Sequence, residues 1–563
     1  MRANIFWAKH VKEGDKVTTL NSTPLNFASV WEMVADLVGD RPAVIQGADS
    51  VSWRDYENRA SRLAAAFVDA GLKPDSKVGL YLFNSAEYCE TNFAAMKFGG
   101  IPINVNYRYL EDELRYLLDN SDCEALVFHT SLGDRIARVV GDLPQIKLLI
   151  EVDDGPAPDG ITHREGVVAY DEVLATNAPM PRRMPTGSEI YILYTGGTTG
   201  MPKGVMYSMP TLVDFLLRSN AAVVGLPTID SAEHLLQTIA LLCDAEPVVA
   251  MSGPPLMHGT GGWLGMMVPH LFGGTACLLE QRSFDSIEVW SVVEKQRVQR
   301  LIIVGDAFAR PLLRALELEP HRWNLSSLRL IVSSGAMFSV EVKNGLFGHL
   351  PQCSIADVLG STEGSMGSSI TNKNTSLGQT ARFGVSPGAK VFTEDGREVE
   401  PGSGEIGMVA SSGLVPIAYY KDPEKSERTF REVDGVRYSF PGDMARVSAD
   451  GSLELLGRGS SCINTGGEKV YPEEVEEALK QHLAVEDALV FGVPDERFGN
   501  RIVGVISLSA GNEASTDEVI IETKKRLSSY KVPRALRIVK QVPRAPNGKA
   551  DYQSARSLFD KTD

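Results

Sequence analysis

The sequence is poor in cysteine and lacks the residue spacings of disulfide frameworks and zinc sites. Its 563 residues include six cysteines and nine histidines. No two cysteines form a Cys-x-x-Cys pair, and no two histidines have the His-Glu-x-x-His spacing. We therefore expect neither a disulfide framework nor a zinc site, but inert thiols in a reducing cytosol.

Long apolar runs and an excess of basic residues are also missing. No apolar run approaches the roughly 18 residues of a membrane-spanning helix, and residues 1–10 have no apolar signal-peptide core. Lys and Arg number 56 against 72 Asp and Glu, a net charge of −16. This balance argues against nucleic acid as a partner and against docking on anionic membranes. We expect a cytoplasmic, soluble monomer or homodimer, and peripheral membrane contact stays open.

The first third of the sequence alternates strand and helix patterns. Residues 77–82 and 125–128 predict buried strands, and residues 86–98 and 107–118 predict helices. Repeated strand–helix order predicts an α/β fold in which helices cover parallel sheets. Residues 151–188 are rich in Asp, Gly and Pro and predict a surface connection.

The residue pattern of the last third of the sequence changes at two points. Turn residues become frequent at about 385–458, which predicts a small β-rich subdomain. After Arg458 a helix is predicted to begin at Pro472, with acidic residues in its first turn. We predict a large N-terminal domain, 1–458, and a smaller α+β C-terminal domain, 459–563.

Residues 194–204 concentrate threonines, glycines and one lysine directly after a predicted strand at 189–194. Hydroxyls, free N–H groups and an ammonium in one glycine-rich turn suit a polyphosphate. The segment differs from a Walker A loop, because Pro202 precedes Lys203 and Gly204 follows it. The structural alternative is a flexible turn with an incidental lysine.

Five further short segments follow along the chain. They are Ser-Ser-Gly-Ala at 333–336, Asp-Val-Leu-Gly-Ser-Thr-Glu-Gly at 357–364, Pro-Gly-Asp at 441–443, Gly-Arg at 457–458 and Pro-Arg-Ala-Pro-Asn-Gly-Lys at 543–549. Taken singly, each is more often an ordinary turn, and Glu363 is more often an acid at a helix N-terminus. A carboxylate among phosphates would be repelled without a metal ion, so Glu363 in a phosphate site implies one.

Together these segments resemble the adenylate-forming enzymes, the family of acyl-CoA synthetases, luciferases and peptide-synthetase adenylation domains. The resemblance implies a mobile C-terminal domain, ATP and CoA as substrates, and Mg²⁺ held by Thr199 and Glu363. It implies Lys549, Thr199, Glu363 and His258 as catalytic residues. It implies ATP or AMP contacts from Thr195, Gly196, Gly197, Thr198, Lys203, Gly335, Ala336, Asp357, Leu359, Gly360, Thr362, Asp443 and Arg458.

Residues 465–472 look like the CoA-ligase form of the family. The resemblance implies that Gly466, Gly467, Glu468 and Lys469 line a pantetheine tunnel after the C-terminal domain rotates at a hinge, Ser460. It further implies an acyl pocket beside Met257, His258, Gly262 and Trp263. The sequence departs from the family at Leu359, where an aromatic residue is usual, and at Ser460, where Asp or Lys is usual.

Residues 304–311 and 104–109 look like those of actinobacterial-type synthetases for fatty acids and steroid side chains. The resemblance favours an ATP-dependent acyl-CoA ligase for a bulky apolar carboxylate, a medium- or long-chain fatty acid or a steroid-side-chain acid. Two alternatives stay open. One is an adenylating enzyme with another acceptor, a carrier protein or oxygen, and the other is a non-catalytic nucleotide-binding regulator.

Overall fold

The computed structural model describes most of the chain in two compact units. The described residues are 25–155, 166–197, 200–223, 234–235, 237–238, 247–374, 381–465, 468–495, 499–527, 529–546 and 548–560. The first unit takes its described residues from Met1–Tyr194, Pro202–Ala250 and Trp263–Leu278. The second takes them from Thr195–Met201, Met251–Gly262 and Leu279–Asp563. The fold is mixed α/β, as the alternating patterns predicted.

The strands of the described residues are numbered in chain order. They are β1 (Pro42–Gln46), β2 (Asp49–Ser52), β3 (Lys77–Tyr81), β4 (Ile101–Asn104), β5 (Cys123–His129), β6 (Leu148–Val152), β7 (Val167–Ala169), β8 (Ile190–Gly197), β9 (Gly200–Ser208), β10 (Val249–Ser252), β11 (Thr275–Leu278), β12 (Arg300–Ile303), β13 (Leu330–Ser334), β14 (Ser354–Ser361), β15 (Gly364–Asn372), β16 (Arg382–Val385), β17 (Ala389–Phe392), β18 (Gly407–Ser411), β19 (Ala418–Tyr419), β20 (Phe430–Val433), β21 (Val436–Ser439), β22 (Asp443–Val447), β23 (Leu453–Arg458), β24 (Ile463–Thr465), β25 (Glu468–Val470), β26 (Val485–Asp495), β27 (Gly499–Leu508) and β28 (Ala535–Ile538).

The helices are numbered in the same way. They are α1 (Phe27–Val38), α2 (Trp53–Asp69), α3 (Ala86–Lys97), α4 (Glu111–Asn120), α5 (Gly133–Val139), α6 (Tyr170–Thr176), α7 (Met209–Val223), α8 (Val268–Leu271), α9 (Ser286–Lys295), α10 (Gly305–Leu318), α11 (Val340–His349), α12 (Pro423–Thr429), α13 (Pro472–Lys480), α14 (Thr516–Thr523) and α15 (Tyr552–Asp560). A stretch of π-helix covers Thr260–Met267. Among the described residues, no helix is long and apolar enough to span a membrane.

The first unit contains the parallel sheet that the sequence pattern predicted. Its strand order is β4-β3-β5-β6-β7, and every neighbouring pair runs parallel. The strand interiors are almost continuously apolar and buried, as in Val78, Leu80 and Tyr81, because both faces of such a sheet are covered. Helix α3 begins where the Ser85 side chain accepts a hydrogen bond from the backbone N–H of Tyr88.

In the second unit a parallel core leads into the β-rich part of the chain. Strands β12, β13 and β14 run parallel, β14 and β15 form an antiparallel pair, and the order continues β16-β23-β22-β18-β21-β20. The predicted β-rich character of residues 385–458 is confirmed. The carboxyl ends of β12, β13 and β14 meet at one edge of the sheet, where α/β proteins usually bind ligands.

The C-terminal residues form a three-stranded sheet of order β26-β27-β28, with α13, α14 and α15. Helix α13 has Pro472 in its first turn together with Glu473 and Glu474, so its start is as predicted. Val475 and Leu479 of this helix pack with Val490 of β26 in one buried cluster. The predicted domain boundary near Arg458 stays a prediction.

Two expectations about local structure are wrong. Residues 194–204 are not one turn: β8 continues to Gly197, and β9 begins at Gly200 and contains Lys203. Residues 151–188 are more than a surface connection, because they include β7 and α6. In both places neighbouring strands supply backbone hydrogen-bond partners that turn-forming residues alone do not reveal.

Candidate active site

Glu363 lies in a tight turn between two antiparallel strands. Thr362 and Glu363 connect β14 to β15, and the flanking residues Ser361 and Gly364 are paired. The Glu363 carboxylate is 5% exposed, and its Oε1 accepts a 2.8 Å hydrogen bond from the hydroxyl of Tyr419. The reading of Glu363 as an acid at a helix N-terminus is therefore wrong, because a strand follows it.

Asp443 and Arg458 face each other across neighbouring strands. The two residues are register partners in β22 and β23, and Arg458 Nε lies 3.5 Å from Asp443 Oδ1. Asp443 is 7% exposed, and its Oδ2 has no hydrogen-bond partner among the described residues. Burial raises the pKa of Asp443, Arg458 opposes this shift, and Glu363 adds to it. A buried carboxylate oxygen without a partner is costly, and a ligand that donates hydrogen bonds would satisfy it.

Lys549 shares an electrostatic environment with these groups. Its pKa lies below the ordinary lysine value because of desolvation and the charge of Arg458, while Glu363 and Asp443 act in the opposite direction. The side chain is exposed by surface area, yet enough protein surrounds it to disfavour the charged form. The second unit therefore brings Lys549 near Glu363, Asp443 and Arg458, although the four residues lie far apart in sequence.

A glycine follows strand β13 at the edge of this cluster. Gly335 has φ +93°, a conformation that other residues rarely adopt. A Cβ atom built on it would lie 3.7 Å from Thr260 Oγ1 and 4.0 Å from Lys549 Cε. Gly335 therefore lies beside Lys549, together with Thr260, which the motifs did not indicate.

Two other predicted nucleotide residues of β14 have side chains engaged within the protein. Asp357 Oδ2 accepts a 2.7 Å hydrogen bond from Lys343 Nζ, and both side chains are almost fully buried. Leu359 is 8% exposed and packs in an apolar cluster with Met366 and Phe383. Gly360 follows Leu359 at a register irregularity between β14 and β15.

The first residues of the π-helix pack closely on the turn that precedes it. A Cβ at Gly261 would lie 2.2 Å from the carbonyl oxygen of Pro255, and one at Gly262 would lie 2.5 Å from that of Leu256. Met257 is buried in this turn, and the backbone N–H of His258 donates to Pro255 O at 3.1 Å. These residues belong to the second unit.

Other predicted site residues fall in the first unit or outside the description. Trp263 belongs to the first unit, where its Nε1 donates to the Tyr191 hydroxyl at 3.1 Å, and Lys203 lies there in β9. Glu468 and Lys469 lie in β25, which pairs with β24, and Ser460 lies in a short 3₁₀ turn, Gly459–Ser461. Thr195, Gly196 and Gly197 end β8. Thr198, Thr199, Gly466 and Gly467 lie outside the described residues.

Two family models match this chain. The model of the AMP-binding enzyme matches residues 31–415, and that of the AMP-binding enzyme C-terminal domain matches residues 474–549. The chain belongs to the AMP-binding enzyme family. The resemblance inferred from the short segments is thereby confirmed.

Curated relatives of the family extend over nearly the whole chain. A 3-oxocholest-4-en-26-oate–CoA ligase of Rhodococcus rhodochrous is 40% identical over 538 residues, 94% of this chain and 95% of the relative. A medium/long-chain-fatty-acid–CoA/3-oxocholest-4-en-26-oate–CoA ligase of Mycolicibacterium smegmatis is 40% identical, covering 95% of this chain and 97% of the relative.

Solved structures of AMP-binding enzymes support the fold. An anthranilate CoA ligase in complex with anthranoyl-AMP aligns with a TM-score of 0.81 at 22% identity, covering 95% of this chain and 97% of that one. A benzoate CoA ligase from Burkholderia xenovorans aligns with a TM-score of 0.78 at 22% identity, covering 94% and 99%.

Sequence reasoning missed several residues that surround the family segments. Tyr419 bonds Glu363, and Arg544 donates from Nη1 to the carbonyl of Gly548 at 3.2 Å, next to Lys549. Arg544 is itself held by Asp487 through two 2.6 Å hydrogen bonds. Arg544 stands within the segment at 543–549, so its motif context was a usable signal. Tyr419 and Asp487 had no local signal, because their partners are distant in sequence.

Proposed function

We propose that this protein is an ATP-dependent, AMP-forming acyl-CoA ligase. It joins a carboxylic acid to AMP with release of pyrophosphate, and then transfers the acyl group to the thiol of CoA. One observation supports this most directly: beside Arg458 and near Lys549, the buried Asp443 carboxylate has one oxygen that no described residue hydrogen-bonds. An acceptor of this kind suits the vicinal hydroxyls of a ribose.

The residues around Asp443 fit a nucleotide. Ribose hydroxyls would satisfy the orphan Oδ2 of Asp443, whose burial is otherwise unfavourable. The backbone at Gly335, with φ +93°, offers a surface without a side chain for a flat base. The packing of Leu359 in the apolar cluster with Phe383 favours a supporting role under the nucleotide over direct stacking.

Glu363 would hold Mg²⁺ together with Thr199, and the ion would offset the negative charge of the phosphates when bound. The hydrogen bond from Tyr419 helps to fix the orientation of the Glu363 carboxylate. Tyr419 is thus a positioning residue for Glu363.

Lys549 would act in the first half of the reaction. The carboxylate of the acid attacks the α-phosphate, and the bond between the α-phosphate and pyrophosphate breaks. An ammonium near the reacting oxygens stabilises the negative charge that develops there. The turn that carries Lys549 is held by hydrogen bonds from Ala545 N to Lys549 O and from Arg544 to Gly548 O. Preorganisation of this kind lowers the cost of aligning the cation.

In the second half, the CoA thiol attacks the activated carbonyl, and AMP leaves. We assign residues 466–469 to the path of the pantetheine arm and Ser460 to the hinge about which the C-terminal residues, 459–563, rotate. We place His258, Met257, Gly262 and Trp263 at the acyl side. The segment at 194–204, which includes Lys203, would hold the phosphates.

The acid that this enzyme activates is proposed to be a medium- or long-chain fatty acid or a steroid-side-chain acid. The activities for which the two relatives at 40% identity are named support this choice. We also propose a cytoplasmic enzyme, either monomeric or homodimeric.

The test is a CoA-dependent assay of AMP release with purified protein. Fatty acids of increasing chain length, benzoate and a steroid acid with a carboxylated side chain would be compared, each with ATP and Mg²⁺. We expect AMP and thioester in equal amounts with the bulky apolar acids and little with acetate or benzoate.

The assay also distinguishes the alternatives. Pyrophosphate release without thioester would indicate a different acceptor, and nucleotide binding without pyrophosphate release would indicate a regulator. Either result with the whole panel of acids would contradict the proposed ligase.

A further inference from the structure

The turn that carries Lys549 rests on the first turn of helix α10. A Cβ built at Gly548 would lie 3.1 Å from both Ala307 Cβ and Val304 Cγ1, and 3.2 Å from Phe308 Cε2. Gly548 also has φ +73°, so both its conformation and its surroundings require glycine. Lys549 is therefore placed by contact with residues 304–308, a segment far from it in sequence.

Within the same turn of α10, Asp306 is held in a fixed orientation. Its Oδ1 accepts hydrogen bonds from the backbone N–H of Ser339 at 2.9 Å and from the Ser339 hydroxyl at 3.1 Å. Its Oδ2 accepts from Arg310 Nε at 3.1 Å. Gly305 precedes it with φ +53°, and a Cβ there would lie 2.2 Å from the carbonyl oxygen of Met337. The backbone before Asp306 is thus fitted closely against the segment that follows β13.

Lys480, the last residue of α13, approaches this carboxylate from the C-terminal part of the chain. Its Nζ lies 3.8 Å from Asp306 Oδ2, and the two side chains are 5% and 8% exposed. Lys480 also pairs with Glu477 of its own helix. Burial alone would lower the pKa of Lys480, but Glu477, Asp306 and Asp487 together raise it above its ordinary value.

Arg544 connects the acidic residues around Asp306 to the turn that carries Lys549. Asp487, Glu476 and Asp306 together hold the pKa of Arg544 above its ordinary value, against the effect of burial. Asp487 binds the Arg544 guanidinium at two points, and Arg544 Nη1 donates to Gly548 O. Helix α13, strand β26 and the Lys549 turn therefore form one charged assembly facing Asp306.

When a buried carboxylate is separated from its cation, each charge is left buried without a partner. This costs free energy until water or another group reaches the charge. Such a pair stabilises the arrangement in which it forms over others open to the chain. Here the arrangement it stabilises also brings Lys549 near Glu363 and Asp443. A contact that favours this arrangement would therefore favour adenylate formation, the step to which Lys549 is assigned above.

We propose that Asp306 and Lys480 are positioning residues that hold the Lys549 turn on helix α10 for the first half of the reaction. Residues 304–311, whose pattern suggested a bulky apolar acid, then serve as a seat for the C-terminal residues and do not select the acid. This inference rests on the proposed function.

The test is the Lys480→Met variant, which keeps an unbranched side chain, one atom shorter, and removes the charge. Lys531→Met is its matched control, because Lys531 is also mostly buried and paired with a carboxylate, that of Glu474. Both of these residues lie C-terminal to residue 460, so their pair does not join the C-terminal residues to α10. With the best acid from the panel, we expect pyrophosphate release to fall about tenfold in Lys480→Met, the effect of a coupling in the usual range. Thioester formation from supplied acyl-adenylate should stay within about twofold of wild type, and Lys480→Arg should recover most of the loss.

Two further measurements separate positioning from general damage. The melting temperatures of Lys480→Met and Lys531→Met should be similar, and the order of preference among acids should not change. If Lys480→Met does not fold, Asp306→Asn carries the same test, since its side chain can still accept from Ser339.

An equal loss in both half-reactions, an unchanged pyrophosphate release, or a changed acid preference would each overturn this inference. These results differ from failure of the proposed function, in which the wild-type protein itself would release no pyrophosphate. A normal wild type with a fully active Lys480→Met would leave the ligase assignment standing and remove only the positioning role.

Discussion

At the scale of single residues, a small group of charged side chains sets the character of the site. Asp443 has an oxygen without a hydrogen-bond partner in the described part of the chain, and Glu363 is oriented by Tyr419. Desolvation and the charge of Arg458 lower the pKa of Lys549. A carboxylate acceptor for hydroxyls, a carboxylate for a metal and a mobile cation are the groups that nucleotidyl transfer needs. The negative charge of a bound phosphate would favour the ammonium form of Lys549.

Replacing Lys549 with alanine should separate the two half-reactions. We expect Lys549→Ala to lower pyrophosphate release by about 100-fold or more, the usual cost of losing one group that stabilises a developing charge. Thioester formation from supplied acyl-adenylate should persist in part, because that step does not need the lysine. Lys540→Ala, which removes an exposed lysine of the same region, is the control. Equal loss of both steps in Lys549→Ala would count against the assigned role.

At the scale of elements, the hairpin of β14 and β15 carries Glu363 in a confined place. A Cβ at Gly364 would lie 2.1 Å from Ser411 Oγ, in neighbouring strand β18, and 3.9 Å from Ser439 Cβ. Both serine side chains are buried, and their hydroxyls have no hydrogen-bond partner among the described residues. One methyl group added at Gly364, the first residue of β15, is therefore expected to disturb the turn that holds Glu363.

Gly364→Ala should impair adenylation although it removes no functional group. Overpacking of this kind costs about 1–3 kcal/mol, and we expect the strain to shift the Glu363 turn and lower pyrophosphate release. The double variant Gly364→Ala/Ser411→Ala should recover most of the activity, because the loss of the Ser411 hydroxyl clears the space. Its remaining Cβ lies 3.3 Å from the added atom. A double variant as impaired as Gly364→Ala would show that the contact with Ser411 is not the cause.

At the scale of the whole molecule, buried ionisable groups couple stability to pH. Glu90 of α3 is fully buried, accepting from Arg59 Nε at 2.7 Å and from the Tyr170 hydroxyl at 2.6 Å. These bonds join α3 to α2 and α6. Desolvation raises the pKa of Glu90 to about 7, against the effects of Arg59 and Tyr170. The folded protein therefore holds this proton more tightly than the unfolded chain, in which the pKa is 4.5.

Stability should fall as pH rises from about 5 to 8. The contribution of the bound proton is complete below the unfolded pKa of 4.5 and is lost as pH rises through about 7. Glu90→Gln cannot ionise, so its melting temperature relative to wild type should be higher at pH 8 than at pH 5. The difference corresponds to a free energy on the order of 3 kcal/mol. Glu398→Gln, which replaces an exposed carboxylate, is the control. The prediction would be refuted if the difference in melting temperature between Glu90→Gln and wild type did not change with pH.

The sequence alone indicated much of the fold and many candidate residues, because these features have local signatures. The apolar runs that became β3 and β5 and the start of α13 at Pro472 were predicted close to their observed bounds. The order of the short segments from 194 to 549 sufficed to indicate the AMP-binding family. Local pattern failed at residues 194–204, because pairing with other strands, and not turn composition, decides whether such a segment is extended.

The tertiary structure decided which distant residues meet and what each contact supports. Asp443 and Arg458 become partners through the register of β22 and β23, and Glu363 obtains Tyr419 from a separate strand. Residues 304–311 resembled those of synthetases for bulky apolar acids, and the structure adds that Asp306 faces Lys480 and that Ala307 lies against Gly548. A sequence lists the donors, acceptors and charges, whereas burial and neighbouring chain segments determine their partners and the energy of each contact.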